Sequence, residues 1–130
     1  MTRANETVRV PSLDHDKMMK ERFGHEISAH GRRERRIVAN LIAHMESEGW
    51  KVQGVHDGDG FDKADTMKAA MELIFNLDDA GLYFEKAGAE HRVLLILGND
   101  MDIISDWNYS EGDADGFNAA MEKFDVDQYA

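Results

Sequence analysis

From His91 to Tyr109 the chain reads HRVLLILGNDMDIISDWNY, and this stretch sets the architecture of the whole. Val93 to Leu97 is an unbroken apolar run. It is short for a helix, and strands buried on both faces carry such runs. Gly98, Asn99 and Asp100 supply a turn, because Gly and Asn tolerate positive φ and Asp bonds its own backbone. Beyond the turn, side chains that alternate across a strand place Met101, Ile103, Ser105 and Trp107 on one face, and Asp102, Ile104 and Asp106 on the other. Upstream, Leu82 to Lys86 reads as a shorter strand, turned back by Ala87, Gly88 and Ala89. The result is a three-stranded meander with Val93 to Leu97 in the middle.

Toward the N-terminus, Met67, Ala70, Met71, Ile74 and Leu77 recur at helical spacing, with Asp65 or Thr66 as cap and Asp78, Asp79 and Gly81 as the stop. Before this helix, Asp57 to Gly60 is a loop, and Trp50 to His56 reads as the first strand. Its alternation sets Trp50, Val52 and Gly54 against Lys51, Gln53 and Val55. Strand, helix, strand in that order predicts a right-handed crossover. A firm helix is predicted over Glu34–Ser47 from Ile37, Val38, Leu41, Ile42 and Met45, with Gly49 ending it. A last short helix over Asp115–Phe124 buries Phe117, Ala120, Met121 and Phe124, and Val126 and Tyr129 add a final contact.

Pro11 and Ser12 suggest a helix start with Ser12 as N-cap, and helical character through Phe23. Gly24 and Gly31 weaken the helix beyond that point, and Met1 to Val10 is expected to be mobile. The expectation is one α+β domain over residues 1–130, ordered α-β-α-β-β-β-α, with 1–30 a mobile or loosely helical arm. Helices cover one face of a mostly antiparallel sheet. The other face, with Trp or Tyr side chains on it, is a candidate oligomer surface.

With 130 residues the chain supports one respectable core. The absence of cysteine excludes disulfides, thiolate zinc sites and cysteine nucleophiles. No apolar stretch reaches the ~20 residues of a membrane helix. No apolar run succeeds the N-terminal charges, so a secretory signal is not expected. These features point to a cytoplasmic protein of bacterial type. The net charge of −11 is uneven: residues 1–51 hold 10 Lys+Arg against 8 Asp+Glu, whereas residues 52–130 hold 5 against 18. The acidic half argues against direct nucleic-acid binding, and a solvated acidic surface that maintains solubility is its plainer explanation.

The basic cluster Arg32, Arg33, Arg35 and Arg36 is a candidate contact for phosphate or an acidic partner, or else a solvated first helix turn. Cations at a helix start oppose the macrodipole, which keeps the partner reading alive. Asp100, Asp102 and Asp106 are the corresponding acidic candidates. Glu111, Asp113, Asp115 and Glu122 stand at calcium-loop positions one, three, five and twelve, with Gly116 at six. Three features depart from that pattern: Glu at position one, Asn118 at position eight and a strand leading in. Asp57-Gly-Asp59-Gly60-Phe61 echoes Asp113-Ala-Asp115-Gly116-Phe117, which also fits one turn-and-cap solution used twice.

His56 beside Asp57 and Asp59 is the histidine placed most like a catalytic or ligand group; no second histidine stands at ligand spacing, and a surface position explains it. No phosphate loop, nucleophile elbow or HExxH is present, so an enzyme and a dedicated cofactor are not expected. Met45, Met67, Met71 and Met121 fall on helical stripes as core, and Met18 and Met19 are left free to dock a partner.

Leu73-Ile-Phe-Asn-Leu-Asp-Asp-Ala-Gly-Leu-Tyr-Phe84 and Leu95-Ile-Leu-Gly-Asn-Asp-Met-Asp-Ile-Ile-Ser-Asp-Trp107 resemble small uncharacterised proteins encoded by bacterial phages, plasmids and related mobile elements. The resemblance spans roughly residues 50–110 and implies a bacterial, cytoplasmic accessory protein, with no activity attached. Three functions are therefore in view. The first is a non-enzymatic module that binds another protein or a second copy of itself. The second is an acidic mimic of nucleic acid that inhibits a nucleic-acid enzyme. The third is a calcium-binding domain through Glu111–Glu122.

Overall fold

The computed structural model describes residues 8–129, with residues 108–111 described as backbone. The expectation for Met1 to Thr7 lies outside the described residues. Helices α1 (Asp14–Phe23) and α2 (Ala29–Ser47) lead into a hairpin of β1 (Lys51–His56) and β2 (Phe61–Lys63). Helix α3 (Met67–Ile74) comes next, then β3 (Asp79–Lys86), β4 (Ala89–Ile96), a 3-10 turn at Asp100–Asp102, β5 (Ile104–Glu111), helix α4 (Ala114–Glu122) and a closing 3-10 turn at Val126–Tyr129. Among the described residues the strands form one sheet in the order β2-β1-β3-β4-β5, and every neighbouring pair is antiparallel. The architecture is α+β, with helices on one face of the predicted meander.

The core lies between helices and sheet. Ile37, Val38, Leu41, Ile42 and Met45 of α2 are fully buried, each worth about 1.5–3 kcal/mol over exposure. They meet Val52, Val55, Leu82, Phe84, Val93 and Leu95 from the strands. Trp50 is buried at the centre, edge-on to Phe117 of α4 at 5.0 Å and 5.4 Å from the ring of His91.

Several expectations are corrected. Helix α2 begins at Ala29, not Glu34, because Ser28 caps it by accepting the Gly31 N–H at 3.1 Å. The arginine run therefore extends past the first turn into the body of the helix. Helix α1 begins at Asp14 and is not capped by Ser12; the Glu72 carboxylate of α3 accepts its Asp14 and His15 N–H groups from across the fold. It stops at Gly24 as predicted, with φ 70.

Phe61–Lys63 is a strand where only a loop and cap were expected. The crossover through α3 does not link β1 to β3, which are adjacent and antiparallel. It links β2 to β3, which run the same way on either side of β1.

Three register shifts interrupt the ladders, at Val52/Gly54, Glu90/His91 and Leu94/Leu95, and the first and last of them break the expected alternation. Between Val52 and Gly54 the register shifts, so Val55 joins Val52 in the core and Gly54 turns to the other face. Between Leu94 and Leu95 the facing residues step from Asp106 to Ile104. Ile104 and Trp107 thus share the inward side, opposite Leu95 and Val93. Asp102 sits in the 3-10 turn, not on a strand face with Asp106. Val93 to Leu97 is not buried on both faces: Val93 and Leu95 point inward, while Ile96 is 40% exposed.

Candidate functional site

The helices leave the second face of the sheet uncovered, and strand alternation settles what it shows. In register across it run Phe61, His56, Gly81, Leu94 and Asp106, with Lys63, Gly54, Tyr83 and Arg92 in the next row. Phe61 is 47% exposed, and its ring meets Tyr83 edge-on at 5.4 Å. It lies over Gly54, where a Cβ would stand 2.4 Å from the ring and 2.4 Å from the Asp62 carbonyl oxygen. Arg92 reaches the Tyr83 hydroxyl with Nη1 at 3.4 Å.

Gly81 carries no side chain into this face and floors a shallow groove of about 290 Å³ between His56, Asp79, Arg92, Leu94, Ile96 and Ser105. The His56 Nδ1 accepts the Gly58 N–H at 3.0 Å, which leaves the ring proton on Nε2 as a donor. Asp57 does not assist His56. Its Oδ1 accepts the N–H groups of Gly60 and Asp59, both at 2.8 Å, and these bonds hold its carboxyl below the usual range. The surface thus offers aromatic rings, a guanidinium, an imidazole donor and exposed aliphatic groups, a composition suited to protein contacts.

The arginine cluster is engaged within the chain. Arg33 Nη1 meets both oxygens of Asp100 at 2.7 Å, so a basic candidate and an acidic one satisfy each other. Asp100 holds a left-handed backbone (φ 55), and its N–H donates to buried Glu34 at 2.6 Å. Arg35 grips Asp16 with two nitrogens, at 2.8 and 2.5 Å, and lies 4.3 Å over the Phe75 ring. Arg36 donates to the Tyr129 carbonyl at 3.0 Å, and exposed Arg32 to the Ile27 carbonyl at 2.7 Å. Asp102 is exposed in its turn, and Asp106 stands exposed on the open face, accepting the Trp107 N–H at 2.8 Å.

At the calcium-like segment, Asp113 accepts the Gly116 N–H at 3.1 Å as the N-cap of α4, and Glu122 accepts from Asn118 at 2.8 Å. Residues 114–122 are helical, which sets Asp115 and Glu122 about 10 Å apart along the axis at 1.5 Å per residue. The side chain of Glu111 lies outside the described residues. Among the described residues, no three carboxylate or imidazole groups converge as a metal would require.

The sequence led to an open second face with a Trp or Tyr on it, but not to the groove there or the residues around it. One signal pointed to them: Gly54 lies inside the strand read from the sequence, and such a glycine marks a place where something approaches closely. Gly81, read as part of the stop after the helix, lies inside β3 instead, which begins at Asp79. His91, buried against Trp50 and Phe117, was also unread as core. No family model, curated protein or solved structure matches this chain. Among the described residues, no helix is long and apolar enough to cross a membrane.

Proposed function

We propose that this protein is a non-enzymatic interaction module that docks a protein partner on the open face of its sheet. The observation that carries the reading is the set of exposed and half-buried Phe61, Tyr83, Leu94 and Ile96 on one face of the sheet, beside Arg92 and the groove at Gly81. Apolar side chains gathered on one open surface and flanked by polar groups are characteristic of binding sites, and aromatic residues and arginine supply much of the energy at protein interfaces. The bacterial, cytoplasmic and mobile-element setting belongs to the same proposal and rests on the resemblance of residues 50–110. The mimic of nucleic acid draws less support, because Asp100 is neutralised by Arg33 and is lost to any acidic stripe with Asp102 and Asp106.

The test is affinity capture from bacterial lysate with the wild-type chain and with a Phe61→Ser, Ile96→Ser variant, alongside sedimentation of the purified chain. Both side chains are substantially exposed, so the fold should survive. A protein held by the wild type and lost by the variant supports the proposal, as does self-association that the variant abolishes. Identical capture and sedimentation by the two would refute it.

A further inference from the structure

A second cleft lies in the helical layer, on residues that the open face does not use. Helix α1, the loop after it, the first turns of α2 and the start of α3 border an open cleft of about 710 Å³. That volume falls within the range of small-molecule pockets. Its walls combine aliphatic surface from Val10, Pro11, Leu13 and Ile27 with charge of the sign opposite to the protein's. In a chain of net charge −11, the lining holds six Lys and Arg against three Asp and Glu.

The pairing inside the cleft sharpens this excess. Asp16 is taken by Arg35 and Glu26 by Lys20, the latter at 2.9 Å. Among the described residues Lys17 and Lys68 have no carboxylate partner, Arg36 bonds only the Tyr129 carbonyl, and Arg32 bonds the Ile27 carbonyl with Glu26 as its charged neighbour. Asp14 is the remaining lining carboxylate, so the unpaired cations outnumber the unpaired acid. Lys17, Lys68 and Arg32 are exposed around the open cleft and exceed the one unpaired acid, Asp14, which leaves a net positive local field beside the aliphatic surface, where charge-assisted hydrogen bonds favour an anion.

We propose that this cleft binds a small organic anion: an aliphatic body seated on Leu13 and Ile27, with a carboxylate or phosphate head held by Lys17, Lys68 and Arg32. Both parts of the lining are needed, since the anion supplies the counter-charge and the aliphatic body displaces water from the floor.

The experiment tracks amide and methyl NMR shifts of the full chain during titration with decanoate, with inorganic phosphate and with decanol, and repeats the decanoate series by calorimetry. Decanoate is expected to saturate and to shift residues 10–36 and Lys68, while phosphate or decanol alone binds at least about tenfold more weakly. A Lys17→Gln, Lys68→Gln variant should lose about tenfold or more in decanoate affinity. Lys63→Gln on the open face should lose none. Ile27→Ser, also outside the core and without added charge, should weaken decanoate and leave phosphate unchanged. The proposal fails if decanoate does not saturate, if phosphate binds as tightly as decanoate, if the double variant binds as well as wild type, or if the shifts map to the open face. It also fails if the cleft resonances move with protein concentration alone, which would make a second copy the occupant.

Discussion

Replacing Asp16 with alanine should loosen helix α1, so that it opens more often, while leaving the core folded. Helix α1 buries none of its own residues; it is held by Leu13 at its start, by the Glu72 cap and by the two bonds from Arg35 to Asp16. In that ion pair the Arg35 and Asp16 side chains are only 13% and 15% exposed. Removing one partner of a fully buried pair costs about 3–5 kcal/mol, because the other charge is left uncompensated, and this pair is only partly buried. Arg35 keeps its 3.0 Å bond to the Gly31 carbonyl and its place over Phe75, so the loss falls at or just below the foot of that range, about 2–3 kcal/mol. That corresponds to an open population of α1 about 30–150 times larger.

Hydrogen exchange reads this directly. In Asp16→Ala, amides of residues 14–23 should exchange about 30–150 times faster, while those of residues 37–45, in the buried part of α2, should be unchanged. Asp16→Asn keeps an acceptor and should give a smaller increase. Arg35→Lys should resemble the alanine variant, since an ammonium cannot reproduce the two-pronged geometry. Unchanged exchange in α1 on Asp16→Ala would overturn the assignment of this ion pair as the clamp, and so would a wild-type α1 that already exchanges without protection.

Gly54→Ala would set a Cβ 2.4 Å from the backbone oxygen of Asp62. The Phe61 ring could swing aside but the carbonyl could not, so a loss of about 1–3 kcal/mol is expected, seen as a thermal midpoint lower by several degrees; an unchanged midpoint would remove the argument for tight β1–β2 contact. Asp57 should titrate below the ordinary carboxylate range because the Gly60 and Asp59 N–H groups bond its charged form. With the folded value depressed, its stabilising contribution is complete above the unfolded pKa and is lost as pH falls through the folded value. A carboxyl-carbon NMR titration with a midpoint at or above the usual Asp value would contradict this.

The sequence made legible those features that repeat or punctuate locally. The meander, the buried stripe of α2, the Thr66 cap (which accepts the Ala69 N–H at 3.1 Å) and the stops at Gly24 and Gly49 all declare themselves within a few residues. The bulges did not, because one extra residue at Gln53 or Ser105 changes no composition and only inverts the faces downstream. The groups on the open face were hidden for a related reason. Val93 to Leu97 is apolar at every position, so a strand with one solvated side looked like one buried on both.

The charges were the least legible part, since ion pairs obey no period. Arg35 meets Asp16 across 19 positions, and Arg33 meets Asp100 across 67. A run of arginines in an otherwise acidic chain invites a search for an external anion, yet three of the four reach other parts of the same chain: the N-terminal helix, the turn before β5 and the carbonyl of Tyr129. These contacts give α2 a second role besides filling the core, as the element that ties the first and last described segments to the sheet. They also decide where external binding can be sought. Of the arginine run only Arg32 stays exposed, with a single carbonyl as partner. It lines the same cleft as Lys17 and Lys68, so the one arginine of the run left exposed joins two further cations in a cleft that shares no lining residue with the groove on the sheet.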